Sequence, residues 1–138
     1  MGASQQTQAK TRMTGAELII RMLEQHGITS VSGIPGGAAL PLYDALGNSR
    51  IRHILACHEQ GAGFIAQGIA RTTGKAAVCI SSSGPGATNL MTAIADAKLD
   101  SVPLVCITAQ VSSPMIGTDA FQEVDTYGMS IPITKHNY

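Results

Sequence analysis

Glu59 is the residue of this 138-residue sequence whose type and setting best suit acid–base chemistry. It follows an apolar segment, precedes a run of small residues, and has only His58 as a neighbouring candidate cation. Two interpretations of it stay open. In the first, the carboxylate stabilises the first turn of a helix through its interaction with the helix dipole. In the second, it lies in a poorly hydrated cleft and takes part in proton transfer.

Three further segments, residues 33–38, 81–89 and 110–122, combine glycine with polar side chains and are candidate ligand loops. The middle segment departs from the Gly-x-Gly-x-x-Gly fingerprint of dinucleotide sites at the third glycine, where Asn89 stands, and this disfavours such a site. Its serines also have a plain interpretation as helix caps, and Asn89 has one as a helix-surface residue. The segments can act as one site only if the fold brings them together.

The hydrophobic periodicity predicts four helices that alternate with four strands. The helices cover residues 14–27, 38–46, 59–71 and 87–98, and the strands cover residues 30–33, 50–56, 76–80 and 102–108. Thr14 and Glu17 form a capping box at the first helix. The three glycines of the third helix each cost about 1 kcal/mol relative to alanine, so we expect a packing reason for them. Residues 109–138 lack clean periodicity and are predicted to form an extended loop or a short helix.

The alternating order with short connections predicts an α/β fold, a parallel sheet with helices on both faces. In open parallel sheets, ligands bind outside the carboxyl ends of the strands. Glu59 and the three candidate loops all follow predicted strands. The sequence therefore predicts one cleft, formed by four loops along one rim of the sheet.

The composition excludes several functional classes. Nine Lys and Arg balance nine Asp and Glu, which argues against a nucleic-acid binder. No segment approaches the roughly 20 apolar residues of a membrane span. Residues 1–13 are polar and lack the apolar core of an export signal, so they are interpreted as a disordered lead-in to a cytoplasmic protein. The aspartates show no spacing typical of a shared metal site, and no metal ligand is predicted.

The three cysteines, Cys57, Cys79 and Cys106, each lie in or beside an apolar run and have no Cys-x-x-Cys spacing. An odd number of cysteines without a motif is typical of reduced thiols in the core of a cytosolic protein. We therefore predict that all three are buried and structural, and a metal or redox role is the alternative.

Four motifs occur in an order that resembles the large subunits of acetolactate (acetohydroxyacid) synthases, a thiamine-diphosphate-dependent family. They are Gly-Ile-Pro-Gly-Gly-Ala at 33–38, His-Glu-Gln-Gly-Ala at 58–62, Ser-Gly-Pro-Gly-Ala-Thr-Asn at 83–89 and Gly-Thr-Asp-Ala-Phe-Gln-Glu at 117–123. The similarity runs from about residue 14 to residue 138, and the sequence around the motifs most resembles a bacterial catalytic subunit of the isozyme I type. The resemblance implies that residues 14–138 form the N-terminal pyrimidine-binding domain of such an enzyme.

Carried over motif by motif, the resemblance implies a catalytic role for Glu59. Its carboxylate would bind the pyrimidine ring nitrogen of thiamine diphosphate and favour the imino tautomer, whose exocyclic nitrogen takes up the thiazolium proton. The other implied cofactor-binding residues are Pro35, Ser82, Pro85 and Asn89. The residues implied near the substrate are Gly37, Phe121 and Gln122. The sequence departs from the family pattern at Ile34, where many relatives have Tyr, and at Ala109 and Ser112, which replace Gly and Pro.

The reaction implied by the resemblance is decarboxylation of pyruvate and transfer of the two-carbon unit to a second 2-ketoacid, such as 2-ketobutyrate, in branched-chain amino-acid (isoleucine and valine) biosynthesis. Magnesium and FAD are implied as well, bound by a C-terminal and a middle domain that this sequence lacks. The implied partners are a second catalytic subunit, in a homodimer or higher oligomer that completes the cleft, and a small regulatory subunit. This chain alone is therefore expected to be inactive.

Two alternatives to this interpretation stay open. A related thiamine-diphosphate decarboxylase would share the motifs but release its product without carboligation. A non-catalytic α/β module for protein interaction or nucleotide binding could retain the same scaffold.

Overall fold

The computed structural model describes residues 12–138, in which short helices and strands alternate. The strands are β1 (Ser30–Gly33), β2 (Arg52–Leu55), β3 (Ala77–Ser81) and β4 (Leu104–Thr108). The α-helices are α1 (Gly15–Gln25), α2 (Leu40–Gly47), α3 (Glu59–Thr73), α4 (Pro85–Thr88), α5 (Met91–Leu99) and α6 (Thr126–Ser130). Single 3-10 turns occupy Gly37–Ala39, Ser113–Met115 and Ile131–Ile133. Most of the predicted lead-in, residues 1–11, lies outside the described residues.

The four strands form one parallel sheet in the order β2-β1-β3-β4. The central strand β3 is buried along its whole length. Its Val78 and Ile80 pack with residues of α1 and α2 on one face. Its Ala77 and Cys79 pack with residues of α3 and α5 on the other face. Helices therefore cover both faces, and the predicted α/β fold is confirmed.

The first helix begins as its sequence predicts. The backbone N–H of Thr14 donates to Glu17 Oε2 at 2.6 Å, and the N–H of Glu17 donates to Thr14 Oγ1 at 3.2 Å, which completes the capping box. The Glu17 carboxylate accepts hydrogen bonds from the backbone N–H and the hydroxyl of Thr14, and these lower the pKa of Glu17 below its ordinary value. Gly27 then takes a left-handed conformation with φ +75°, and the chain turns into β1.

The predicted helix over residues 87–98 is two helices, α4 and α5. The first starts early because Pro85 occupies its first turn, where a missing N–H costs nothing. The two helices separate where the backbone hydrogen bonds change from a spacing of four residues to one of three. Asn89 still donates to the carbonyl of Pro85, but the N–H of Leu90 bonds to Ala87, only three residues back.

Only one of the three glycines in α3 has a close packing neighbour. A Cβ on Gly63 would stand 2.5 Å from Ala93 Cβ, so α3 and α5 approach each other closely there. Cβ atoms on Gly61 and Gly68 would meet nothing within 4 Å among the described residues. The expectation of a packing reason is thus confirmed for Gly63 and stays a prediction for the other two positions.

The cysteine prediction is also corrected in part. Cys79 is buried in β3 and Cys106 is half-buried in β4, but Cys57 is exposed. Cys57 lies in the turn between β2, at the edge of the sheet, and α3, and is therefore outside the strand. The apolar run that precedes it does not place its side chain in the core.

The C-terminal segment is a loop with short helices, as predicted. Among residues 12–138, no helix is both long and apolar enough to cross a membrane.

Candidate active site

Glu59 is the first residue of α3 and lies at the carboxyl end of β2. His58 caps the helix, because its Nδ1 accepts a hydrogen bond from the N–H of Gln60 at 3.1 Å. The half-buried Glu59 carboxylate therefore does lie in a helical first turn, where the dipole favours negative charge. This position is compatible with both interpretations of the residue.

Asn89 holds the Glu59 carboxylate in place. Its Nδ2 donates to Glu59 Oε2 at 2.9 Å, although the two residues are thirty positions apart. Asn89 occupies the break between α4 and α5, so its side chain turns inward and is half-buried rather than lying on a helix surface. A side chain that engages one carboxylate oxygen fixes the direction in which the second oxygen is presented.

The other carboxylate oxygen, Oε1, faces the glycine turn that follows β3. A Cβ on Gly86 would stand 3.6 Å from Glu59 Oε1 and 3.3 Å from Ser82 Cβ. The turn at residues 33–38 reaches the same place, because a Cβ on Gly36 would stand 2.5 Å from Ser82 Cβ and Oγ. Three of the four predicted loops therefore meet around Ser82, and Gly36 and Gly86 allow the backbone to approach it closely.

Ser82 carries a buried hydroxyl that the fold does not satisfy. The residue is 8% exposed, and its Oγ has no hydrogen-bond partner among the described residues. An unpaired buried polar group costs about 1–3 kcal/mol, so such a group calls for an explanation. A polar atom of a bound molecule in this cleft would supply the partner.

The fourth loop reaches the cleft through its backbone. A Cβ on Gly84 would stand 2.5 Å from the carbonyl oxygen of Gln122, so the two turns are in close contact. Both residues have positive φ, +54° at Gly84 and +57° at Gln122. Positive φ is uncommon outside glycine, and strained backbone of this kind is concentrated at functional sites.

Four of the predicted site residues make no such contacts. Pro35 and Pro85 are exposed, and a Cβ on Gly37 would meet nothing within 4 Å in the described part of the chain. Phe121 is 85% exposed. These residues lie in the loops that form the rim, and their assignment to cofactor or substrate stays a prediction.

Tyr43 is a residue at the cleft that the sequence did not single out. Its hydroxyl donates to the carbonyl of Ile80 at 3.4 Å, and its ring packs edge-to-face on His53 with centroids 5.0 Å apart. Burial, with smaller effects of Cys79 and Glu59, raises the pKa of Tyr43 to about 12. A tyrosine in an apolar helix gives no sequence signal of this contact.

Two cavities of about 280 and 450 Å³ lie elsewhere on the molecule. The smaller one is between α1 and α2, and the larger one is lined by the end of α1, the residues that precede β1 and β3, and Val78 and Val105 of the sheet. Neither is lined by Glu59, Ser82 or Asn89. Among residues 12–138, no three His, Cys, Asp or Glu residues are grouped closely enough to hold a metal ion.

Known proteins similar to this chain share one type of domain. Residues 13–129 match the family model described as thiamine pyrophosphate enzyme, N-terminal TPP binding domain. The chain is 71% identical, over its whole length, to the acetolactate synthase isozyme 1 large subunit of Escherichia coli, of which it covers 25%. It is 60% identical, over 94% of its length, to the acetolactate synthase large subunit of Corynebacterium glutamicum, of which it covers 21%.

The acetolactate synthase isozyme 2 large subunit of Escherichia coli is 56% identical over 91% of this chain, which covers 23% of that protein. The chain thus spans about a quarter of the length of these relatives. The family model covers most of the chain, including the loops that carry Glu59, Ser82 and Asn89. On this evidence the chain belongs to the thiamine pyrophosphate enzymes, as their N-terminal TPP binding domain.

Proposed function

We propose that this chain supplies the pyrimidine-binding half of an acetolactate synthase active site, with Glu59 as its catalytic residue. The observation that carries the proposal is the Asn89–Glu59 hydrogen bond of 2.9 Å, which leaves Oε1 facing the space beside Gly86. A dipole-stabilising carboxylate needs no such partner. A carboxylate that must meet one atom of a bound ring needs a fixed direction.

The cleft has the features expected of a site for the pyrimidine ring of thiamine diphosphate. Gly36 and Gly86 allow two loops to pack closely around Ser82, because a Cβ at either position would crowd that side chain. The unpartnered Oγ of Ser82 offers a hydrogen bond to a polar edge of a ring. The carboxylate of Glu59 offers a second one, to a ring nitrogen that carries a proton. Pro35 and Pro85 supply apolar surface at the rim, and we assign them and Asn89 to the same site.

When bound, thiamine diphosphate stabilises the negative charge that develops as a 2-ketoacid loses carbon dioxide. The residues of this chain have simpler tasks. Glu59 shares a proton with the pyrimidine ring, and Asn89 keeps the carboxylate oriented while it does so. The strained backbone of Gln122, packed on Gly84, positions the fourth loop beside the ring. We place Gly37, Phe121 and Gln122 on the substrate side, because they lie in the two loops that flank the cleft.

The remaining parts of the proposal come from the large subunits named above. We propose pyruvate as the first substrate and a second 2-ketoacid, pyruvate or 2-ketobutyrate, as the acceptor. Magnesium and FAD would be held by parts of the protein outside these 138 residues. A second catalytic subunit would complete the cleft, a small subunit would regulate it, and the assembly would work in the cytoplasm. Without those parts, we expect the chain to have no carboligase activity.

A chimera tests this proposal directly. The segment of the Escherichia coli isozyme 1 large subunit that aligns with this chain, at 71% identity, is replaced by the chain itself. We expect the chimera to bind thiamine diphosphate in a calorimetric titration and to form acetolactate from pyruvate. Glu59→Gln should lower kcat by about 100-fold or more, the usual contribution of a positioned acid–base group. Asp44→Asn, a matched loss of charge at an exposed position of α2, should have no effect.

The other outcomes separate the alternatives. Acetaldehyde in place of acetolactate would indicate a decarboxylase. A folded chimera that binds no thiamine diphosphate would favour the non-catalytic module. Full activity of the Glu59→Gln chimera would remove Glu59 from the mechanism.

A further inference from the structure

Cys79 and Cys106 are direct neighbours across the sheet. They are register partners in the parallel pair β3–β4, and their Sγ atoms are 3.3 Å apart. Both side chains pack in the cluster between the sheet and helices α3 and α5. The two thiols lie on the same face of the sheet, and at this separation their sulfur atoms are in direct contact.

We propose that this pair is an oxidative modification site, at which a hydroperoxide such as hydrogen peroxide converts the two thiols into an intrachain disulfide. Adjacent strands lie about 4.8 Å apart, which is within the Cα separation of roughly 4.4–6.8 Å that a disulfide accepts. The backbone therefore already has the spacing that the bond needs. The site has no part in the proposed acetolactate chemistry and does not depend on it.

The different exposure of the two cysteines sets the order of the steps. Cys106 is half-buried on the outer strand, whereas Cys79 is fully buried on a central strand. Cys106 is thus the sulfur that meets the oxidant. Its sulfur attacks one peroxide oxygen, the O–O bond breaks, and a sulfenic acid forms on Cys106 as one water leaves.

In the second step, the sulfur of Cys79 attacks the sulfur of Cys106. The S–S bond forms and the S–O bond breaks, and the departing hydroxide takes the thiol proton of Cys79 to leave as a second water. The two cysteines lose two hydrogens in all, and the peroxide is reduced to two waters. The hydrogen bond with Cys106 and then burial raise the pKa of the Cys79 thiol, so Cys79 keeps its proton until this step.

Cys57 provides an internal contrast. It is exposed, follows β2 at the opposite side of the sheet, and is outside the cluster that holds the other two thiols. Exposure allows the same first step, but no thiol stands beside Cys57 in the described part of the chain to complete the second. Its sulfenic acid continues to the sulfinic state or pairs with another molecule.

The test begins with the Cys57→Ser variant, which retains only the proposed pair. After treatment with hydrogen peroxide and unfolding in denaturant, we expect its two reactive thiols to fall to none, and dithiothreitol to restore both. The intact mass should decrease by two hydrogens. The Cys57→Ser, Cys79→Ser double variant should gain oxygen on Cys106 instead, and reductant should not remove it fully. Retention of both thiols in Cys57→Ser, or a gain of oxygen without loss of hydrogen, would overturn the proposal.

Peptide mapping of the unaltered chain keeps the test valid if a variant fails to fold. Cleavage after Lys75, Lys98 and Lys135 places Cys79 in peptide 76–98 and Cys106 in peptide 99–135. After peroxide treatment, these two peptides should migrate as one cross-linked species that reductant separates. Recovery of both as single peptides would contradict the proposal.

Discussion

The phenol of Tyr43 should make the unfolding free energy of the protein depend on pH in the alkaline range. Its pKa is about 12 when folded and about 10 when unfolded, because the half-buried ring is poorly solvated. The folded state then binds the phenol proton more tightly than the unfolded state. The resulting contribution of Tyr43 to the free energy of unfolding is complete below about pH 10 and is lost as the pH rises through about 12. Between pH 9 and pH 11, we expect the parent to lose about 1 kcal/mol more unfolding free energy than Tyr43→Phe, after allowance for solvent screening.

Urea unfolding at the two pH values measures this difference. Tyr127→Phe is the control, because Tyr127 is 54% exposed. Equal losses in the parent, Tyr43→Phe and Tyr127→Phe would show that the Tyr43 hydroxyl is solvated in the folded protein.

The sequence predicted which segments form the cleft but not how they touch. Glu59 could be singled out because a charged residue followed an apolar strand, and the rule for parallel sheets placed it at the rim with the glycine loops. The hydrogen bond from Asn89 could not be predicted, because it depends on the break between α4 and α5. The contact of Tyr43 with Ile80 depends on the angle at which α2 crosses the sheet, which periodicity does not encode.

Helix α3 offers a matched pair of glycines that separates helix propensity from packing. A Cβ on Gly63 would collide with Ala93 of α5, whereas a Cβ on Gly61 would meet nothing in the described structure. Gly61→Ala should therefore stabilise the protein by about 0.5–1 kcal/mol, the usual gain in helix propensity. Gly63→Ala should destabilise it by about 1–3 kcal/mol, because α3 must move away from α5.

Chemical denaturation of both variants gives the comparison within one helix. The sign of the two changes is the decisive quantity. Stabilisation by both substitutions would mean that α5 moves away from α3 at little cost.

The elements themselves were predictable where the pattern is local. The capping box of Thr14 and Glu17 and the turn at Gly27 identify the first helix. The prediction of one helix over residues 87–98 was wrong, because Pro85 allows an earlier start and the backbone hydrogen bonding changes at Leu90. The prediction that Cys57 is buried was wrong for a different reason. Its position at the edge of the sheet follows from strand order, which only the three-dimensional structure shows.

The two edges of the sheet differ in how well they are protected against pairing. The outer strand β2 carries Arg52, and a charged residue on an edge strand discourages a second strand from adding. The opposite outer strand β4 reads Leu-Val-Cys-Ile-Thr and has no charge. Its Val105 is 45% exposed, and no strand within residues 12–138 pairs with its outer side. With equal numbers of acidic and basic residues, the chain also lacks a net charge to keep copies apart at neutral pH.

We therefore expect the isolated chain to self-associate through β4, in a manner that depends on concentration. Val105→Lys places a charge on that edge and should shift the sedimentation-velocity distribution toward the monomer. Leu55→Lys adds the same charge to an exposed residue of β2 and is the matched control. It should leave the distribution as it is, because β2 already carries the charge of Arg52. If both substitutions dissociate the chain equally, net charge rather than the β4 edge governs association, since each adds one positive charge to the molecule.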